Sequence, residues 1–138
     1  MKRPLLLDTC ATIWILDNAP MTDAAVAAVD RAFDEGIGIY VSPMTAWEIG
    51  MLMSRGRLKS ALPPQRWFRR VLEVPGVRLA DMPPEVLIAS SFLPGSPPRD
   101  PADRILAATA REYDYALVTR DATMLSYARE GHILALEC

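Results

Sequence analysis

Lysine is nearly missing from this sequence: it occurs at Lys2 and Lys59 alone, and histidine occurs at His132 alone. Cysteine is scarce too, with Cys10 and Cys138 near opposite ends of the chain. Two such distant thiols form neither a disulfide framework nor a zinc-ligand spacing. No uncharged apolar run approaches the roughly 18 residues needed to cross a membrane. Leu5, Leu6 and Leu7, ahead of Asp8, are too few for the apolar core of a signal peptide. These absences predict a soluble, cytoplasmic protein without membrane association. A charge excess is missing as well, since 17 acidic and 15 basic residues leave a net charge of −2. The whole-molecule positive field of a domain with a pI above about 9 is therefore absent, and any nucleic-acid site must be local.

What remains is a chain of 138 residues, 51% of them apolar, enough to bury the core of one domain spanning residues 1–138. Apolar runs too short for helices alternate with segments of helical spacing, which predicts an α/β class with crossover helices around a mostly parallel sheet. Strands are expected at 5–7, 37–41, 77–79, 116–119 and 133–136. Helices are expected at 9–16, 22–34, from Ser42-Pro43 to about Gly56, 64–72, 84–92, from Asp100-Pro101 to about residue 113, and from Asp121 to about residue 129. Ser-Pro and Asp-Pro are strong helix starts, with a capping side chain followed by a residue preset for the first turn. The Pro/Gly-rich stretch 93–99 reads as a loop.

Several acids sit where a bland surface would not put them. Asp8 and Asp121 each follow a short apolar strand, which in a parallel sheet places them at the carboxyl edge, where ligands bind. Each is equally suited to cap the helix that follows. In the next helix Met44, Trp47, Met51 and Leu52 stand around Glu48 at offsets that set its carboxylate beside the apolar stripe. Asp103 shares a face with Leu106, Ala107 and Ala110 and is expected to point inward, whereas Arg104 is expected to point outward. Asp100 is read as an N-cap before Pro101. Inward acids with no lysine among them cannot all ionise without a compensating cation. Carboxylate oxygens without a Cys/His set suit Mg²⁺ or Mn²⁺ rather than Zn²⁺, and such ions commonly work on phosphates. Between Ile49 and Leu72 stand six cations, Arg55, Arg57, Lys59, Arg66, Arg69 and Arg70, and no acid. With Trp67 among them they are RNA-backbone candidates, or else an ordinary solvated face.

Four segments in order, Leu6-Leu7-Asp8-Thr9, Ser42-Pro43 through Trp47-Glu48-Ile49, Asp100-Pro101-Ala102-Asp103-Arg104-Ile105-Leu106-Ala107-Ala108-Thr109-Ala110 and Leu117-Val118-Thr119-Arg120-Asp121, resemble the PIN-domain family, and within it the VapC-like toxins. The resemblance implies a metal-dependent endoribonuclease in which Asp8, Glu48, Asp103 and Asp121 are catalytic and hold Mg²⁺ or Mn²⁺. It makes Thr9 and Thr119 supporting hydroxyls, and Asp100 either a ligand or only a cap. It implies an RNA substrate, a homodimer, and a small antitoxin whose basic side chain pairs with the acids while its apolar residues lie near Trp47 and Trp67. Two other readings stand beside it. A PIN-like binding module would keep the acids as caps. A phosphatase or phosphotransfer domain using Asp8 as nucleophile fits less well, because Cys10 stands where a second aspartate would be wanted.

Overall fold

The computed structural model describes residues 3–138. Five parallel strands, β1 (Leu5–Leu7), β2 (Ile39–Val41), β3 (Val77–Leu79), β4 (Ala116–Thr119) and β5 (Leu134–Glu137), form one sheet in the order β3-β2-β1-β4-β5. Seven helices connect and cover them: α1 (Thr9–Asp17), α2 (Asp23–Asp34), α3 (Pro43–Ser54), α4 (Pro64–Glu73), α5 (Pro84–Ala89), α6 (Pro101–Tyr113) and α7 (Ala122–Arg129). None of them is long and apolar enough to cross a membrane, among the described residues.

Alternation along β1 divides the core into two layers, as the two-residue period of a strand requires. Leu5 and Leu7 join Ile39, Val41 and Val118 under α1, α2, α3 and α4, where Ala25, Ile49, Trp67 and Val71 close the packing. Leu6 and Leu117 turn to the other face and meet Leu106, Ala107, Ala110, Met124 and Tyr127 of α6 and α7. Strands covered on both faces read as unbroken apolar runs, which is why three consecutive leucines suffice for β1.

Helix starts follow the local signals. Thr22 caps α2, Ser42 caps α3, and Asp8, Asp100 and Asp121 cap α1, α6 and α7. The structure trims some expected edges. β2 begins at Ile39 because Gly36 turns left-handed (φ +70°) and Ile37 N–H bonds back to Ala32 O, closing α2. α5 stops at Ala89 because the Ser90 hydroxyl takes the Leu87 carbonyl, and tight turns follow to Phe92. The last strand lies one residue later than expected.

Order reverses at β1: the chain moves outward to β2 and β3, then returns to lay β4 on the opposite side. The crevice beyond the carboxyl ends of β1 and β4 is thus the topological switch point, the usual ligand site of an open α/β sheet.

Candidate active site

Register brings the acids together. Leu7 pairs with Val118, so the residues just beyond, Asp8 and Thr119, stand side by side at the carboxyl edge. Thr119 Oγ1 donates to Asp8 Oδ2 at 2.6 Å and accepts from Asp121 N at 3.0 Å. One buried hydroxyl therefore couples the acid after β1 to the acid after β4. Asp8 also caps α1, its Oδ1 accepting from Ala11 N at 2.7 Å. Capping and site membership are one arrangement here, because the first turns of α1, α6 and α7 all open onto this edge and their dipoles favour negative charge.

Glu48 arrives from α3. The inward face of that helix runs through fully buried Thr45 and Ile49, with Glu48 at its flank and Trp47 turned out, 58% exposed. Glu48 Oε1 accepts from Thr9 Oγ1 at 2.6 Å. Having spent its single hydrogen there, Thr9 can take only an acceptor's part toward Thr45 Oγ1, 3.3 Å away. Thr45 is a site residue that sequence reasoning missed; its one local signal is a hydroxyl three residues before Glu48.

α6 contributes Asp100 and Asp103. Asp100 Oδ2 accepts from Asp103 N at 3.0 Å, an N-cap as expected. Asp103 lies within the electrostatic reach of Asp100, Asp121, Glu48 and Asp8, and burial together with these four carboxylates pushes its pKa up to about 7. Burial also raises Asp8 and Glu48: Asp8 against the opposing Thr119 and Ala11 hydrogen bonds, with Asp121 adding to the rise, and Glu48 against the Thr9 bond, with Asp100 and Asp8 adding to it. All five acids are thus gathered at one edge.

Two expectations need correction. Arg104 does not point outward: it is half-buried, with Nε donating to Ser90 O at 2.8 Å and Nη1 to Pro98 O at 3.0 Å. Helical periodicity missed this because α5 and the loop 93–99 cover that side of α6. Trp67 is no surface for a base or a partner, because it is 2% exposed in the core of the α4 side. The six cations Arg55, Arg57, Lys59, Arg66, Arg69 and Arg70 are all exposed, on the end of α3, the following loop and α4. Arg120 is the cation that acts on Asp8, lowering its pKa against burial, and sequence reasoning gave it no role.

The donor set is hard oxygen throughout, and it fits a divalent cation of the Mg²⁺ or Mn²⁺ kind. Among the described residues, however, no three His, Cys, Asp or Glu side chains stand close enough to share an ion as they are. Asp8 is tied to Ala11 and Thr119 and Glu48 to Thr9, so joint ligation requires carboxylates to rotate inward.

A family model described as PIN domain matches residues 5–130. The chain belongs to the PIN-domain family. It is 33% identical over 127 residues to Ribonuclease VapC22 of Mycobacterium tuberculosis, covering 92% of this chain and 93% of that protein. It is therefore a homologue of a VapC-like ribonuclease. Among solved structures, VapBC2 from Rickettsia felis bound to a DNA fragment from its promoter superposes with a TM-score of 0.68 at 14% identity, covering 97% and 98% of the two chains. FitAcB from Neisseria gonorrhoeae superposes with a TM-score of 0.55 at 19% identity, covering 96% of each. At such identities the two structures speak for the α/β fold of this PIN domain, and the site rests on its own geometry.

Proposed function

We propose that this PIN domain is an endoribonuclease dependent on Mg²⁺ or Mn²⁺, with Asp8, Glu48, Asp103 and Asp121 as its catalytic acids and ion ligands. The observation that carries this reading is Asp103: a half-buried carboxylate pushed up to about 7 by burial and four neighbouring acids is a position that a divalent cation would relieve. When bound, such an ion supplies the charge that activates a water and stabilises the phosphate and leaving oxygens of an in-line displacement. Thr119 sets the orientation of Asp8, and Thr9 that of Glu48. Asp100 holds the first turn of α6 so that Asp103 faces the other acids. No side-chain nucleophile is required. The homology to Ribonuclease VapC22 agrees with this chemistry and with RNA as substrate.

Exhaustive chelation should abolish cleavage of a labelled oligoribonucleotide, and Mn²⁺ or Mg²⁺ should restore it. Undiminished activity in chelator, with no rise in melting temperature on adding Mn²⁺, would remove the metal mechanism and leave the acids as helix caps.

We further propose that the protein is the toxin of a toxin–antitoxin pair, working as a homodimer and held in check by a small antitoxin. The likeness to VapBC2 and FitAcB supports this reading. A basic side chain of the antitoxin would pair with the acids, while its apolar residues would lie near exposed Trp47. Expression of this chain alone should arrest growth, and co-expression of its small partner should restore it. Unchanged growth would sink the toxin assignment and leave the nuclease chemistry standing.

A further inference from the structure

Five carboxylates gather at the edge where an RNA strand has to approach, and a phosphodiester is itself an anion. Divalent charge shared among several acids leaves the edge negative, so strand binding needs a fixed cation nearby. Arg120 lies between Thr119 and Asp121 in sequence, and its guanidinium acts on both Asp8 and Cys10, which lie at the start of α1.

Its side chain is held on two sides. The guanidinium carbon stands 3.7 Å from the ring centroid of Trp14, over its face, and Nε donates to the main-chain oxygen of Cys138 at 2.8 Å. Stacking fixes the plane of the fork, and the Nε bond fixes its rotation within that plane. The residue is exposed, and its η nitrogens make no hydrogen bond among the described residues. An exposed arginine with its plane and rotation fixed and both η nitrogens free to donate is organised in advance for a phosphate, and little side-chain entropy remains to be lost on binding. The six exposed cations of the α3 to α4 region have no comparable restraint; the Arg57 and Arg69 side chains, for example, make no hydrogen bond among the described residues.

Resting on the ribonuclease reading above, we propose that Arg120, laid on Trp14 and pinned to Cys138, binds a phosphate of the RNA strand flanking the scissile bond. It is a substrate-binding residue and takes no part in holding the ion.

The test compares wild type with Arg120→Gln and Arg120→Lys on an oligoribonucleotide over a range of salt concentrations. Arg120→Gln should raise KM about tenfold, leave kcat within a few-fold, and reduce the slope of log kcat/KM against log salt by about one, the signature of one lost phosphate contact. Calorimetric Mn²⁺ affinity should not fall, because the lost guanidinium is a cation acting on Asp8 and not a ligand. Arg120→Lys should keep the salt slope and show an intermediate KM, because it retains the charge but not the planar fork. A purely structural arginine would lower the melting temperature of Arg120→Gln with KM and salt slope at wild-type values, and that result overturns the proposal. Should the wild type cleave nothing, the ribonuclease reading fails by itself. Fluorescence anisotropy with the uncleaved oligoribonucleotide then decides on Arg120: loss of about one unit of salt slope in Arg120→Gln supports the phosphate contact, and an unchanged slope or no binding by wild type overturns it.

Discussion

Asp103→Asn is expected to lower the rate of RNA cleavage by about two to three orders of magnitude, the scale of losing one group that stabilises transition-state charge, while making the metal-free protein more stable. The two effects have one cause. The Asp103 carboxylate is held half-buried against Asp100, Asp121, Glu48 and Asp8, with its pKa at about 7, so near pH 8 the folded chain carries a charge it does not favour. Asparagine removes that charge and keeps the backbone N–H that Asp100 caps. Because water screens much of the repulsion, about 1 kcal/mol of gain is expected, or roughly 3–6 °C in melting temperature for a domain of this size. Asp8→Asn should lose comparable activity without that gain, since the Thr119 hydroxyl donates to one Asp8 oxygen and Ala11 N–H to the other. Glu48→Gln and Asp121→Asn belong with the inactive group. Asp100→Asn should lose less than about tenfold, because asparagine caps a helix about as well as aspartate. Initial rates at saturating Mn²⁺, with thermal melts of the same samples in chelator, separate these outcomes. An Asp100→Asn protein as inactive as Asp103→Asn would make Asp100 a ligand rather than a cap.

Stability of the metal-free protein should fall as pH rises from about 5.5 to 8, the reverse of ordinary acid denaturation. Asp103 titrates at about 7 when folded, against 3.8 for an unperturbed aspartate, and Asp8 and Glu48 are shifted in the same direction. A folded-state pKa raised in this way means that the folded protein binds more protons than the unfolded one between those limits. The contribution is fully present below about 3.8 and is lost as pH passes through about 7. With excess Mn²⁺ the ion takes over the compensation that protons provide at low pH, so the melting temperature should become nearly level or rise toward pH 8. In Asp103→Asn the metal-free curve should flatten. Thermal unfolding at pH 5.5, 6.5, 7.5 and 8.5, in chelator and in Mn²⁺, checks this. A metal-free melting temperature that climbs steadily to pH 8, with no response to Mn²⁺, would show that these acids do not repel one another in the folded chain.

Local chemistry wrote much of this fold directly into the chain. Apolar triplets make β1 and β2, Ser42-Pro43 and Asp100-Pro101 start α3 and α6, and acids immediately after Leu7 and Thr119-Arg120 mark the carboxyl edge. These features depend on neighbours within a few residues, so their physics is complete before the chain folds. The acids were legible for the same reason, as charges on otherwise apolar helix faces or directly beyond apolar strands. What acts on those acids was not legible. Thr119 meets Asp8 across 111 positions only because β4 lies beside β1 in parallel register. Thr45 reaches Thr9 only because α3 packs against α1. The burial of Trp67 and Arg104 and the stacking of Arg120 on Trp14 likewise come from elements distant in sequence. Composition and periodicity describe one segment at a time and marked most of the elements and the candidate acids, while the family was visible in the resemblance of four ordered segments and is shown by the PIN-domain match. Proton affinity, orientation and the setting of the cation depend on distances between segments, and those were decided only when the sheet order brought the segments together.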